Sequence, residues 1–91
     1  PEATMIIRKS GVFSSREYVL DASGSYDRDW KFGGSIVTYT FNINGKSIET
    51  VDGSPTANWI FGAPGRYNIS VTVTDNDNAS TTYSLPPYEV E

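Results

Sequence analysis

The stretch of sequence that decides the fold is PGRYNISVTVTD, residues 64–75. Within it the large apolar residues alternate with polar ones, so that Tyr67, Ile69, Val71 and Val73 fall on one side. Successive side chains of a β-strand point to opposite faces, and this period of two therefore predicts a strand with one buried and one exposed face. The Pro64-Gly65 pair marks the turn before this strand.

The same alternation occurs elsewhere along the chain. Residues 37–43 predict an inward face made of Val37, Tyr39, Phe41 and Ile43, and residues 18–22 offer Tyr18, Leu20 and Ala22. Shorter strand candidates are TMIIRK, KSIETV, NWIF and TTYSLPPYEV. Since no segment has helical periodicity, about seven short strands separated by turns predict an all-β antiparallel β-sandwich.

Two turn signals fix details of this sandwich. Asn44-Gly45 suits the two positive-φ positions of a type I′ hairpin turn. Pro86 and Pro87 cannot donate ladder hydrogen bonds, so the last strand is predicted to lie at an edge or to break there.

Composition limits the functions open to this chain. With 91 residues it forms one domain, residues 1–91, and its start at proline indicates a module cut from a longer protein. It lacks cysteine and histidine, which removes disulfides, thiolate metal sites and the commonest general base. A net charge of −4 argues against nucleic-acid binding. No apolar run is long enough for membrane insertion, and we expect the isolated domain to be a monomer without enzymatic activity.

Three blocks of the sequence resemble the PKD (polycystic kidney disease) domain, which has an immunoglobulin-like β-sandwich. The first is Asp21-Ala22-Ser23-Gly24-Ser25 with Asp27 and Asp29, and the second runs from Ile36 to Phe41. The third, residues 64–75, is the most specific because it combines a Pro-Gly-x-Tyr start with a Thr-Asp end. The resemblance covers roughly residues 18–82.

The resemblance implies a non-catalytic module of an exported or cell-surface multidomain protein. PKD domains are found in microbial proteases, collagenases and chitinases and in animal receptors, where they act as spacers or as modules that contact extracellular proteins or polysaccharides. Some of them bind calcium. Two departures stand out here: the family's acidic turn after the central aromatic is shortened to Asn44-Gly45, and the turn after Asp27-x-Asp29 is expanded into residues 30–34.

Asp27, Asp29 and Asp75 are the candidate metal ligands. In a sandwich of this topology their two loops are expected to reach the same pole, where a calcium ion would relieve the repulsion between carboxylates. Asn76, Asp77 and the carbonyls around Ser10 could complete the oxygen ligands. The alternative is ordinary turn structure, because Asp and Asn side chains cap nearby backbone amides, and Asp27 could accept from Ser23 or Ser25. A pair of catalytic carboxylates is disfavoured because the thin core leaves no room for a cleft.

Trp30 and Phe32 are the candidate ligand-contact residues. Loop aromatics can stack on sugars or anchor a partner protein, and here they would be joined by an exposed Tyr83 or Tyr88. The alternative is that Trp30 folds over one end of the core as a lid. Trp59 is predicted to be core or half-core. Two glycosylation sequons, Asn68-Ile69-Ser70 and Asn78-Ala79-Ser80, place Asn68 on an outward face and Asn78 in a loop.

Overall fold

The structure is a computed structural model that describes residues 1–11, 16–28, 33–50 and 53–90. Nine β-strands and no α-helix lie within these residues. The strands are β1 Ile6–Lys9, β2 Glu17–Asp21, β3 Ile36–Ile43, β4 Lys46–Glu49, β5 Thr56–Ile60, β6 Gly65–Tyr67, β7 Ile69–Asp75, β8 Ser80–Ser84 and β9 Tyr88–Val90.

The strands form two main antiparallel sheets and one short ribbon. One sheet has the order β1-β2-β5, the other has the order β4-β3-β7-β8, and β6 pairs with β9. This arrangement confirms the prediction of an antiparallel sandwich of short strands. The predicted final strand is both broken and at an edge, since β8 ends before Pro86-Pro87 and lies outermost in its sheet.

The core lies between the sheets and is built by the predicted alternation. In β7 the residues Ile69, Val71 and Val73 are fully buried while the intervening polar residues are half-exposed. The remaining buried apolar residues are Met5, Tyr18, Leu20, Ala22, Tyr39, Phe41, Ile43, Phe61 and Val90. Burying one Val or Leu side chain contributes about 2 kcal/mol, so these contacts are the main source of stability.

Val37 is the one wrong assignment among the predicted inward residues. Its side chain is 46% exposed, whereas Ile36 packs against the core. The cause is a β-bulge: the pairing of β3 with β7 shifts register between Ile36 and Thr38. A bulge reverses the alternation for the residues before it, and the local sequence does not reveal it.

Aromatic contacts close the core beneath the short ribbon. Phe61 packs edge-on against Tyr18 with ring centroids 5.4 Å apart, and its centroid lies 4.6 Å from that of Tyr67. The Tyr67 hydroxyl donates to the carbonyl of Ala63 at 2.6 Å. A tyrosine near the start of a strand that bonds back to the preceding turn is the tyrosine corner of immunoglobulin-like sandwiches.

The described ends of the chain lie at opposite poles of the sandwich. The carbonyl of Pro1 accepts from the Thr81 hydroxyl at 2.6 Å, close to the β7–β8 turn, and we call this end the hairpin pole. Val90 pairs with Gly65 beyond the other end of β7, which we call the ribbon pole. The molecule measures 43 × 23 × 18 Å, so its two ends are separated along an elongated body.

Candidate functional site

Asp75 is buried at the end of β7, with 5% of its surface exposed. Its Oδ1 atom accepts from the backbone amides of Asp77 and Ala79, both at 2.9 Å. The backbone amide of Asp75 donates to the carbonyl of Ala79, and its carbonyl accepts from the Asn78 amide. The carboxylate therefore organises the β7–β8 turn, as expected for the turn-capping role of aspartate.

Asn76 fastens a second loop to this turn. Its backbone amide donates to the carbonyl of Ser35 at 3.0 Å, and its Oδ1 accepts from the Ser35 amide at 3.3 Å. Its Nδ2 donates to the carbonyl of Gly33 at 3.2 Å. Residues 33–35, which precede β3, are thus bonded to the β7–β8 turn.

Asp27 belongs to the same pole and is 5% exposed. Its neighbour Tyr26 exchanges two backbone hydrogen bonds with Glu2, directly after Pro1, which contacts Thr81. An ion pair between Arg28 and Glu2 further ties the loop to the start of the chain.

One alternative predicted that Asp27 accepts a hydrogen bond from Ser23 or Ser25, but these two serines bond to other groups. The Ser25 hydroxyl donates to the carbonyl of Thr4 at 2.9 Å, so its only proton is used there. The backbone amide of Ser23 donates to Asp21 Oδ1 at 2.9 Å. The serine-rich turn is therefore closed by Asp21 and the Thr4 backbone.

The predicted metal ligands are only partly brought together. Asp27 and Asp75 lie at the hairpin pole, whereas Asp29 lies outside the described residues. Within residues 1–11, 16–28, 33–50 and 53–90, no group of three acidic side chains is arranged to hold a metal ion. Calcium binding here stays a prediction that depends on Asp29.

Ser10 does not belong to this pole, contrary to the expectation that its carbonyl could join the ligand set. It follows β1 and bonds to Glu17, through its amide at 2.9 Å to the Glu17 carbonyl and through its hydroxyl at 2.9 Å to Oε1. Glu17 begins β2, whereas the hairpin pole lies at the other end of that strand, near Asp21.

The candidate aromatic residues have different positions. Trp30 and Phe32 lie outside the described residues, so their role as lid or ligand contact stays a prediction. Trp59 is half-buried, as predicted, and Lys46 Nζ lies 5.2 Å from its ring centroid. Tyr83 is 37% exposed, but Tyr88 packs edge-on against Tyr18 and does not join it in a flat platform.

Asp21 is an electrostatic feature that sequence reasoning did not single out. The Arg8 guanidinium, together with Ser23, lowers the pKa of the Asp21 carboxyl from 3.8 to about 2. The ion pair runs diagonally between neighbouring strands, because Asp21 is paired with Ile6 and Arg8 is paired with Val19. Only the pairing of β1 with β2 brings these residues together, so no local motif could have shown it.

A polar recess at the ribbon pole was also not predicted. Its volume is about 650 Å³. It lies between the β3–β4 turn, the residue that separates β6 from β7, and the end of β8. The turn itself is as expected: Asn44 and Gly45 have φ values of 49° and 88°, which fits type I′.

Both sequon asparagines are exposed, Asn68 beside this recess and Asn78 in the β7–β8 turn with φ 66°.

These features define an immunoglobulin-like sandwich, and comparison with known proteins identifies its family. The sequence model of the PKD domain family matches residues 3–85, so the chain belongs to this family. Its fold is similar to the PKD1 domain of Vibrio anguillarum Epp, with 24% identity, a TM-score of 0.73 and coverage of 98% of this chain and 90% of that one. It is also similar to the PKD1 domain from Vibrio cholerae metalloprotease PrtV, with 23% identity, a TM-score of 0.76 and coverage of 100% and 96%. A search of curated proteins found no match.

The described residues contain no helix long and apolar enough to cross a membrane.

Proposed function

We propose that this chain is a non-catalytic spacer and contact module of an exported or cell-surface multidomain protein. PKD domains are generally non-catalytic modules within larger proteins, and the two structural relatives come from Vibrio, one of them from a metalloprotease. The extracellular location and the contacts with proteins or polysaccharides are part of this proposal.

The observation that carries the proposal is the position of the two chain ends. Pro1 is fixed at the hairpin pole by Thr81, and Val90 is fixed at the ribbon pole by its pairing with Gly65. The β6–β7 path between these points spans roughly 25 Å at the usual rise per residue of a strand. Flanking domains attached to these ends would be held apart by a body with a continuous core.

The test is a distance measurement between two reporter domains fused to the two ends. We expect pulsed electron–electron double resonance between spin labels on the two reporters to give one narrow distance distribution. The absence of cysteine from this chain allows labels to be placed only on the reporters. A Gly/Ser linker of equal length is the control, with a broad distribution around an r.m.s. span of roughly 50 Å. Equal widths of the distance distribution for the two fusion proteins would contradict the spacer role.

We further propose that calcium stabilises the hairpin pole through Asp27, Asp29 and Asp75. The support is that residues 33–35 are bonded to the turn after Asp75 and that the side chains of Asp27 and Asp75 are both buried. Buried carboxylates without a cation repel one another, and calcium prefers oxygen ligands of this kind. Millimolar calcium should then raise the melting temperature relative to EDTA, and Asp29→Asn should abolish the difference. Identical melting curves for the unmodified chain in the two buffers would contradict this site.

A further inference from the structure

The recess at the ribbon pole has a mainly polar lining, with polar side chains around its rim. The Ile69 side chain is buried in the core, with 1% of its surface exposed, so Leu85, which is half-buried, contributes the apolar atoms. Asn44, Arg66, Asn68 and Ser84 contribute the polar ones. A volume of about 650 Å³ lies within the range of small-molecule sites.

Hydrogen bonds from asparagine side chains and from the backbone hold this rim in place. Asn44 Oδ1 accepts from the Asn68 amide at 2.8 Å, and the Asn44 amide donates to the Asn68 carbonyl at 2.9 Å. Asn42 supports the turn from the other side, since its Oδ1 accepts from the Gly45 amide at 2.9 Å. The rim is therefore organised before any ligand arrives, which lowers the entropic cost of binding.

The rim offers mainly hydrogen-bond donors. With Oδ1 of Asn44 engaged, its amide nitrogen remains as a donor, and Arg66 contributes the guanidinium. Among the described residues that line the recess, none carries a carboxylate and Arg66 is the only ionised one. In the described part of the chain, the closest charged partner of Arg66 is Glu89, with Nε and Oε2 3.7 Å apart and both side chains about 70% exposed. That separation is longer than a hydrogen bond, so the fork of terminal nitrogens can bind another anion.

We propose that this recess binds the carboxylate of a small ligand, about the size of one sugar ring or one amino-acid residue. Arg66 takes the carboxylate through its planar fork, and the side-chain amides of Asn44 and Asn68 donate to the ligand's remaining oxygens. The ligand's carbon atoms lie against Leu85. A uronic acid and an acylated amino acid both carry this chemistry.

The test is a titration followed by heteronuclear NMR, with the side-chain NH₂ groups of Asn44 and Asn68 and the Arg66 Nε–H as reporters. The probes are D-glucuronate, N-acetyl-leucine and, as a neutral counterpart of the first, D-glucose. We expect a Kd on the order of 1 mM for at least one carboxylate and no saturable shift with glucose. Whether glucuronate or N-acetyl-leucine binds more tightly identifies the source of the carboxylate.

Three variants separate a specific site from the general field of an acidic domain. Arg66→Gln should weaken binding at least about tenfold, because it removes a charge-assisted pair of hydrogen bonds. Arg28→Gln, which removes an equally exposed arginine at the hairpin pole, should leave the Kd within about twofold. Glu89→Gln should strengthen binding a few-fold, because it removes the carboxylate that competes for Arg66.

Several results would overturn the proposal. They are saturable binding of glucose equal to that of glucuronate, no shift at the three reporters with either carboxylate, or equal weakening in Arg66→Gln and Arg28→Gln. Since Arg66 and Arg28 side chains are 72% and 77% exposed, both variants should keep the fold, and their amide spectra verify this.

Discussion

Replacement of Asp75 by alanine removes the acceptor that organises the β7–β8 turn. The backbone amides of Asp77 and Ala79 each lose a hydrogen bond of 2.9 Å to Oδ1. Both residues are exposed, so water can solvate these amides, and the cost per bond lies near the net value of ~1 kcal/mol. We therefore expect Asp75→Ala to lower the free energy of unfolding by about 2 kcal/mol.

The assay is thermal unfolding followed by circular dichroism in EDTA, so that no metal contributes. For a domain of this size, 1 kcal/mol corresponds to a shift of ~4–8 °C, and the melting temperature should fall by roughly 10 °C. Asp75→Asn is the matched control, because its amide oxygen can still accept from both backbone amides. It should lose less than half as much stability as Asp75→Ala.

Two outcomes would refute this reasoning. If Asp75→Ala unfolds at the temperature of the unmodified chain, the two hydrogen bonds contribute nothing to stability. If Asp75→Asn is destabilised as much as Asp75→Ala in EDTA, the negative charge rather than the acceptor geometry is what the turn requires.

Three further predictions concern other parts of the sandwich. The ion pair with Arg8 lowers the pKa of Asp21 to about 2, so its stabilisation is complete above about pH 4 and lost as the pH falls through 2. Because Arg8 is half-exposed, we expect a loss of only about 1 kcal/mol in acid denaturation curves, and Asp21→Asn should lack that component; equal curves for both proteins would contradict it. Tyr67→Phe should lower the urea midpoint by the equivalent of about 1 kcal/mol, because the bond to Ala63 is lost while the ring contacts remain; an unchanged midpoint would show that this corner adds no stability. Val71→Asp should unfold the domain, because an unpaired charge in the core costs several kcal/mol, and a native circular dichroism spectrum of this variant would disprove the strand register.

The parts of the fold that depend on local chemistry could be predicted from the sequence. The alternation around Val71 and the Asn44-Gly45 turn are both as expected, because side-chain period and positive φ are properties of a few adjacent residues. The inward assignment of Val37 is wrong, because the bulge that exposes it arises in the pairing of β3 with β7.

The candidate sites were less accessible to sequence reasoning. Turn capping by aspartate was one of the two alternatives for Asp75, but the particular amides that it caps could not be predicted. The recess around Arg66 could not be predicted, since it results from three segments that meet only in the folded chain. The roles predicted for Asp29, Trp30 and Phe32 stay predictions, because these residues lie outside the described part of the chain.

The placement of the chain ends at opposite poles determines how the domain responds to mechanical load. A force that pulls Val90 away from the hairpin pole draws β9 along its own axis past β6. Ladder hydrogen bonds run perpendicular to the strands, so such a force shears all the bonds between Gly65–Tyr67 and Tyr88–Val90 at once instead of unzipping them one after another. Rupture in this geometry requires simultaneous failure, and the rate of forced unfolding is set by that barrier. The three-residue ribbon therefore acts as a mechanical clamp at the point where tension from the ribbon pole enters the domain.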